Sequence, residues 1–305
     1  MVGTALAVAA AVSYGVTIVC NRELATRGFG PTASLSVRFG VAALATFLVL
    51  LAARRPLLPA PGERWRPLAL GAIGYAVESA LFYSALERGT AAAVALLFYA
   101  YPAIVAVIEL ASGRLRPSPR LLGALALSVG GTVLIVVAGS RVEIAVMGVV
   151  LALSAAASFA VYLLVSSRVV PKTDSLTNGA WVALGASLSL TIAGLATGGL
   201  RAPGSSWWLM LINGVATGSA FTLLFAALKR MGASRTAIVM TMEAFSAVVL
   251  GALLLGERLG PLQAAGGAAI LGATVLISSA RAARSESTDV EREAGSDMPV
   301  EAQTP

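Results

Sequence analysis

The stretch Gly232–Ser278, GASRTAIVMTMEAFSAVVLGALLLGERLGPLQAAGGAAILGATVLIS, decides the fold. It holds two long apolar runs, Arg235–Leu255 and Pro261–Arg281, joined by the short connection Gly256-Glu257-Arg258-Leu259-Gly260-Pro261. Each run is long enough to cross about 30 Å of hydrocarbon as a helix. Glu243 sits near the middle of the first run. A charge at that depth costs roughly 2.5–3.5 kcal/mol on insertion scales, so such a residue is a functional candidate by default.

Composition extends this reading to the whole chain. Of the 305 residues, 57% are hydrophobic and only 12% are charged. A soluble domain carries about 25% charged residues, so the chain reads as a polytopic membrane protein. There is no histidine, which removes the usual general base and the commonest metal ligand. The single cysteine, Cys20, permits no internal disulfide. No phosphate-cradling GxxxxGK[ST] motif is present, so gradients of solute or ion would have to drive any transport. An enzyme, a cofactor and a metal are not expected. The net charge of +7 reads as loop charge rather than as a nucleic-acid surface.

Hydropathy marks ten spans: Val2–Cys20, Thr32–Ala53, Pro67–Leu86, Ala91–Leu110, Pro119–Ala138, Ala145–Ser167, Leu176–Thr197, Trp207–Leu228, Arg235–Leu255 and Pro261–Ala280. The first lacks a basic leader and a small-x-small cleavage site, so it reads as a span, not a signal peptide. Residues 284–305 are polar and acidic and are expected to be a disordered cytoplasmic tail.

The pattern repeats. Leu86 aligns with Leu228, Arg88 with Arg230 and Pro102 with Ala244; after a one-residue shift, Gly113 aligns with Gly256 and Gly123 with Gly266. Gly3–Tyr14 likewise matches Gly148–Phe159. Duplication gives a first five-helix unit over 1–140, a second over 141–281 and the tail over 282–305. Five spans per unit is an odd number, so the second unit enters the membrane upside down. With both termini inside, the inner connections hold 15 of the 22 Lys/Arg residues. The outer ones hold 6, namely Arg22, Arg27, Arg88, Arg141, Arg201 and Arg258. Inverted repeats are a transporter signature, with the substrate site near mid-membrane.

The chain resembles the EamA-type branch of the drug/metabolite transporter superfamily over Val2–Ser279. The residues that carry the resemblance are Ala227-Leu-Lys-Arg-Met-Gly-Ala-Ser234, Met242-Glu243, Leu255-Gly256-Glu257-Arg258-Leu259, Gly266 and Ser36-Val-Arg38-Phe39. It departs from the family where Ser13-Tyr14-Gly15 replaces a Trp-Gly pair, Glu243-Ala244 replaces Glu-Pro, and Arg114 stands in place of Gly-Glu. The resemblance implies ten helices in the inner membrane, a cavity lined by spans one, three, four, six, eight and nine, and export of a small metabolite such as an amino acid. An uptake permease, a drug exporter and, from another class, a non-transporting scaffold or sensor are the alternatives.

Several polar residues could bind substrate or couple its movement. Glu78 lies mid-span with Tyr75 and Ser79 beside it; it is either a structural carboxyl or a site for a substrate amine or a coupled proton. Glu243 offers the same two readings. Arg38 is a possible charge partner for either. Phe98, Tyr99 and Tyr101 precede Pro102, which should kink the fourth span and make it a candidate cavity wall. Ser13, Thr17 and Asn21 form one helical stripe; Ser154, Ser158 and Tyr162 form another, and Asn213 and Thr217 a third. Such stripes also serve as helix-packing glue. Glu109 reads as interfacial, and Trp65, Trp207 and Trp208 as aromatic-belt anchors.

Overall fold

The computed structural model describes residues 2–138, 144–200, 204–255 and 260–277. The expected tail, the connection Gly256–Leu259 and the boundary between the two units lie outside the described residues. The described chain is helical, with one isolated antiparallel bridge between Gly89 and Ile144. In chain order the helices are α1 (Val2–Thr26), α2 (Pro31–Ala52), α3 (Arg66–Leu86), α4 (Ala91–Phe98 and Tyr101–Ala111), α5 (Pro119–Ala138), α6 (Val146–Val169), α7 (Ser175–Thr197), α8 (Trp207–Met231), α9 (Ala233–Met240 and Met242–Leu255) and α10 (Pro261–Ile277). Among the described residues, nine of these are long and apolar enough to cross a membrane, and α10 is a shorter apolar helix.

Two ends differ from the sequence reading. Helix α1 continues past Cys20 to Thr26, because Asn21, Arg22 and Glu23 extend the helix beyond its apolar run. Helix α8 likewise carries Lys229 and Arg230 in its last turn and stops at Gly232, whose φ of 77° is open to glycine without strain. Within α3, residues Leu70–Tyr75 are π-helical, which the sequence does not announce. Helix α4 breaks at Tyr99–Ala100, ahead of Pro102, and α9 breaks at Thr241.

Small residues set the packing. A Cβ on Gly71 would overlap the backbone of Val182, and one on Gly185 would overlap that of Leu68, so α3 and α7 meet backbone to backbone. Gly131 and Gly266 each face the other's carbonyl oxygen, which locks α5 to α10. Gly214 and Gly218 admit α2 at Val41 and Ala42. In hydrocarbon, where lipid tails are as apolar as leucine, such close approach supplies the dispersion contact that holds helices together. The resulting neighbours are α1 with α8, α3 with α6, α2 with α7, α2 with α8, α3 with α7, α4 with α6, and α1 with α9.

Candidate functional site

An assembly of aromatic side chains fills the centre. Tyr14 of α1 meets Phe221 of α8 edge-on, with ring centroids 6.3 Å apart. Phe221 lies 5.9 Å from Phe39 of α2 and 5.0 Å from Tyr75 of α3. Tyr75 continues to Tyr162 of α6 at 5.6 Å, and Tyr162 stacks on Phe159 at 5.9 Å. Phe159 reaches Tyr101 of α4 at 4.9 Å and Phe98 at 5.5 Å; Phe98 meets Phe82 of α3 at 5.1 Å. Edge-to-face pairs satisfy the ring quadrupoles and make the wall stiff. The Tyr101 hydroxyl donates to the carbonyl of Ala237, 3.4 Å away, tying this wall to the first half of α9.

Three ionisable groups stand in this apolar surround. Arg38 is 6% exposed, its Cζ lies 4.7 Å over the Phe39 ring, and its Nε has no hydrogen-bond partner. Glu78 is 7% exposed and accepts a 3.1 Å hydrogen bond from Ser79 Oγ. Glu243 follows the break in α9 and is partly exposed. Arg38 lies within electrostatic reach of both carboxylates, and no ion pair joins it to either among the described residues. The site thus holds one guanidinium, two carboxyls and two buried phenols, Tyr14 and Tyr162, whose hydroxyls lack partners. The Tyr14 and Tyr75 hydroxyls face each other but miss hydrogen-bonding geometry.

The structure brings Glu78, Tyr75, Ser79, Tyr162, Phe98, Tyr101, Arg38 and Glu243 around one centre. It places the other candidates apart. Ser13 Oγ donates to the Ala9 carbonyl and Thr17 Oγ1 to the Tyr14 carbonyl, both along their own helix. Thr217 Oγ1 donates to Asn213 O, while Asn213 Nδ2 donates to Asn21 Oδ1 at 2.7 Å across α1 and α8. Ser158 lines a lateral groove. Sequence reasoning missed Phe159 and Phe221 as wall residues. The signals were present: Phe221 continues the Asn213–Thr217 stripe one turn on, and Phe159 is the repeat partner of Tyr14. Helix α2 also contributes, through Arg38 and Phe39, which the expected cavity lining omitted.

At one end of the bundle a second carboxylate has an explicit structural role. Glu63, in the α2–α3 connection, accepts from the amides of Lys172 (3.1 Å) and Thr173 (2.9 Å) and from the Thr173 hydroxyl (2.6 Å). Burial opposes its ionisation, but these three donors and the nearby Arg66 outweigh burial and hold its carboxyl below the usual carboxylate range. Lys229 Nζ donates to the Thr173 carbonyl, Thr177 Oγ1 to Pro56 O and Trp181 Nε1 to Leu57 O. Glu109, at the end of α4, caps the start of α9 by accepting from Ser234 N and Oγ.

A helical membrane bundle enclosing an aromatic, charge-bearing centre defines the class: a multi-pass membrane protein of transporter type. The chain belongs to the EamA-like transporter family, which it matches over residues 1–137 and 146–279. It is 29% identical over 219 residues to the uncharacterized transporter YwfM of Bacillus subtilis, covering 71% of this chain and 74% of that one. The uncharacterized transporter YcbK of the same organism is 26% identical over 253 residues, 78% of this chain and 80% of its own length. The uncharacterized protein PA1977 of Pseudomonas aeruginosa is 29% identical over 272 residues, 88% and 92% of the two chains. A protein of known crystal structure shares the fold with a TM-score of 0.78 at 18% identity, over 90% of this chain and 95% of its own.

Proposed function

We propose that this chain is a secondary transporter of the inner membrane that exports a small polar or amphipathic metabolite, such as an amino acid, through a cavity centred on Arg38, Glu78 and Glu243. The observation that carries this reading is the charge balance of the centre. One guanidinium cannot compensate two ionised carboxylates in a medium where uncompensated charge is costly. The deficit is filled by a proton on one carboxyl or by the ammonium group of a substrate. Exchanging one for the other couples substrate movement to a proton gradient. The aromatic wall supplies apolar and cation–π surface for such a substrate.

Ten spans in two inverted five-helix units is the architecture of this proposal, with both termini in the cytoplasm. The reading is supported by the way neighbours exchange when each helix is replaced by its repeat partner. The α1–α8 pair becomes α6–α3, α9–α1 becomes α4–α6, and α2–α7 and α5–α10 map onto themselves. The breaks in α4 and α9 correspond. Gly3 faces Arg230 Cβ as its partner Gly148 faces Arg88 Cβ.

A metabolite-by-metabolite flux screen in proteoliposomes containing only this protein identifies the cargo. Glu78→Gln then tests the centre, because it keeps the shape and removes the titration. Initial rates per reconstituted molecule, taken from about pH 5.5 to 8.5 to bracket carboxyl titration, should fall strongly and lose their pH dependence at unchanged membrane abundance. Wild-type rates and pH profile in Glu78→Gln would move the role to Glu243.

A further inference from the structure

We propose that the groove between α3 and α6 is a binding site for one anionic phospholipid, with an acyl chain in the groove and the phosphate at Arg66. The groove has a volume of about 580 Å³ and runs between Arg66 and Val77 on α3, with Ala157 and Ser158 on the facing side. Its rims are side chains that point out of the bundle: Ile73 is 66% exposed and Val161 50%. In a multi-pass membrane protein this is the lipid-facing surface. Its depth comes from small residues. Ala69, Gly74 and Ala157 line it, and a Cβ on Gly74 would already press to 3.1 Å from the Tyr162 ring. Tyr162, the floor, is 2% exposed and closes the groove from the aromatic centre. The π-helical turn Leu70–Tyr75 runs along this wall; such turns gather at functional sites.

Charge complementarity names the occupant. Arg66 itself lines the groove, at its end where α3 begins. It follows exposed Arg64 and Trp65 on the same short segment. Two guanidiniums beside an interfacial tryptophan form an anionic headgroup site, and the apolar groove running from it accepts the attached chain. The arginines also follow Glu63, whose carboxylate already has three donors and so does not consume the capacity of Arg64 and Arg66 for a phosphate. The equivalent helix pair, α1 with α8, offers no such groove: Tyr14 packs on Phe221 and Asn213 bonds Asn21 across it. The feature is therefore particular to one side of the bundle and is not a by-product of the repeat.

The test uses the full chain in detergent micelles. It is titrated with palmitoyl-oleoyl phosphatidylglycerol, with phosphatidylcholine of the same chains, and with glycerol phosphate, and adducts are counted by native mass spectrometry. One phosphatidylglycerol should bind about fivefold more tightly than phosphatidylcholine, the advantage of roughly one basic residue at a headgroup. Arg66→Gln should remove that advantage, Arg66→Lys should keep it, and Ala157→Phe, which fills the groove, should weaken both lipids. Arg230→Gln, an exposed charge elsewhere, should change nothing. Equal binding of the two lipids, or an unchanged preference in Arg66→Gln, overturns the headgroup assignment. Unchanged lipid binding in Ala157→Phe, or glycerol phosphate binding as tightly as the lipid, overturns the groove. A loss in Arg230→Gln equal to that in Arg66→Gln would mean diffuse charge attraction and would also overturn it.

Discussion

Replacing Glu63 by glutamine should release the α6–α7 connection from the α2–α3 connection. In the wild type one carboxylate serves two amides and one hydroxyl at 2.6–3.1 Å. Glutamine can keep its carbonyl toward Thr173, but its NH₂ then meets the Lys172 amide, donor against donor. One charge-assisted bond is lost and two are weakened; at about 1.5–3 kcal/mol for a hydrogen bond to a charged group, the local penalty is about 2–4 kcal/mol. A penalty of about 2 kcal/mol corresponds to roughly 30-fold more frequent local opening. Hydrogen–deuterium exchange of the segment Val170–Leu176, corrected for intrinsic rates, reads this directly. The pH dependence gives a second reading. Because the folded carboxyl titrates below its ordinary range, its contribution is present in full above about pH 4.3 and is lost as pH falls through the lowered value. Wild-type protection of the segment should therefore decline at acid pH while Glu63→Gln stays flat. Exchange changed by less than about threefold at neutral pH would refute the assignment of Glu63 as the clasp.

Gly71→Val should abolish accumulation in the membrane, because a Cβ there overlaps the Val182 backbone, which cannot yield as a side chain could; quantitative immunoblotting of membranes checks it. Asn213→Ala should cost only about 0.6 kcal/mol, and at most about 1.7, as for other interhelical hydrogen bonds in membranes, read from the thermal midpoint of the purified protein. Topology follows from single-cysteine labelling in a Cys20→Ser background: Arg116→Cys should react from the cytoplasm and Thr197→Cys from outside, both positions being exposed. A reversed pattern would invert the orientation proposed above.

The helices were legible because hydrocarbon imposes a length and a hydropathy that soluble packing does not. Mid-span Glu78, Arg38 and Glu243 stood out for the same reason: each is an expense the bilayer would select against without a use. What could not be read was which faces converge. Tyr75 and Tyr162 are 87 residues apart in the chain, and only the close approach of α3, which Gly71 and Gly185 permit against α7, brings that helix to the centre. Loop carboxylates were harder still. Glu63 sits among Arg54, Arg55, Arg64 and Arg66 and reads as loop charge, since its partners are backbone amides that no side-chain pattern encodes. Glu109 looked interfacial for the same reason, although its partner is the amide and hydroxyl that open α9.

The mutual fit of Gly131 and Gly266 has a consequence for biogenesis. These glycines are about 135 residues apart, so at about 5–20 residues per second the ribosome takes roughly 7–27 s to supply α5 with its mate. During that interval α5 is already in the bilayer with a bare strip of backbone at Gly131, where another chain's small-residue strip could dock. Completion of the bundle is thus a post-synthetic event. Slowing translation between α5 and α10 lengthens the window in which neighbouring nascent chains pair wrongly.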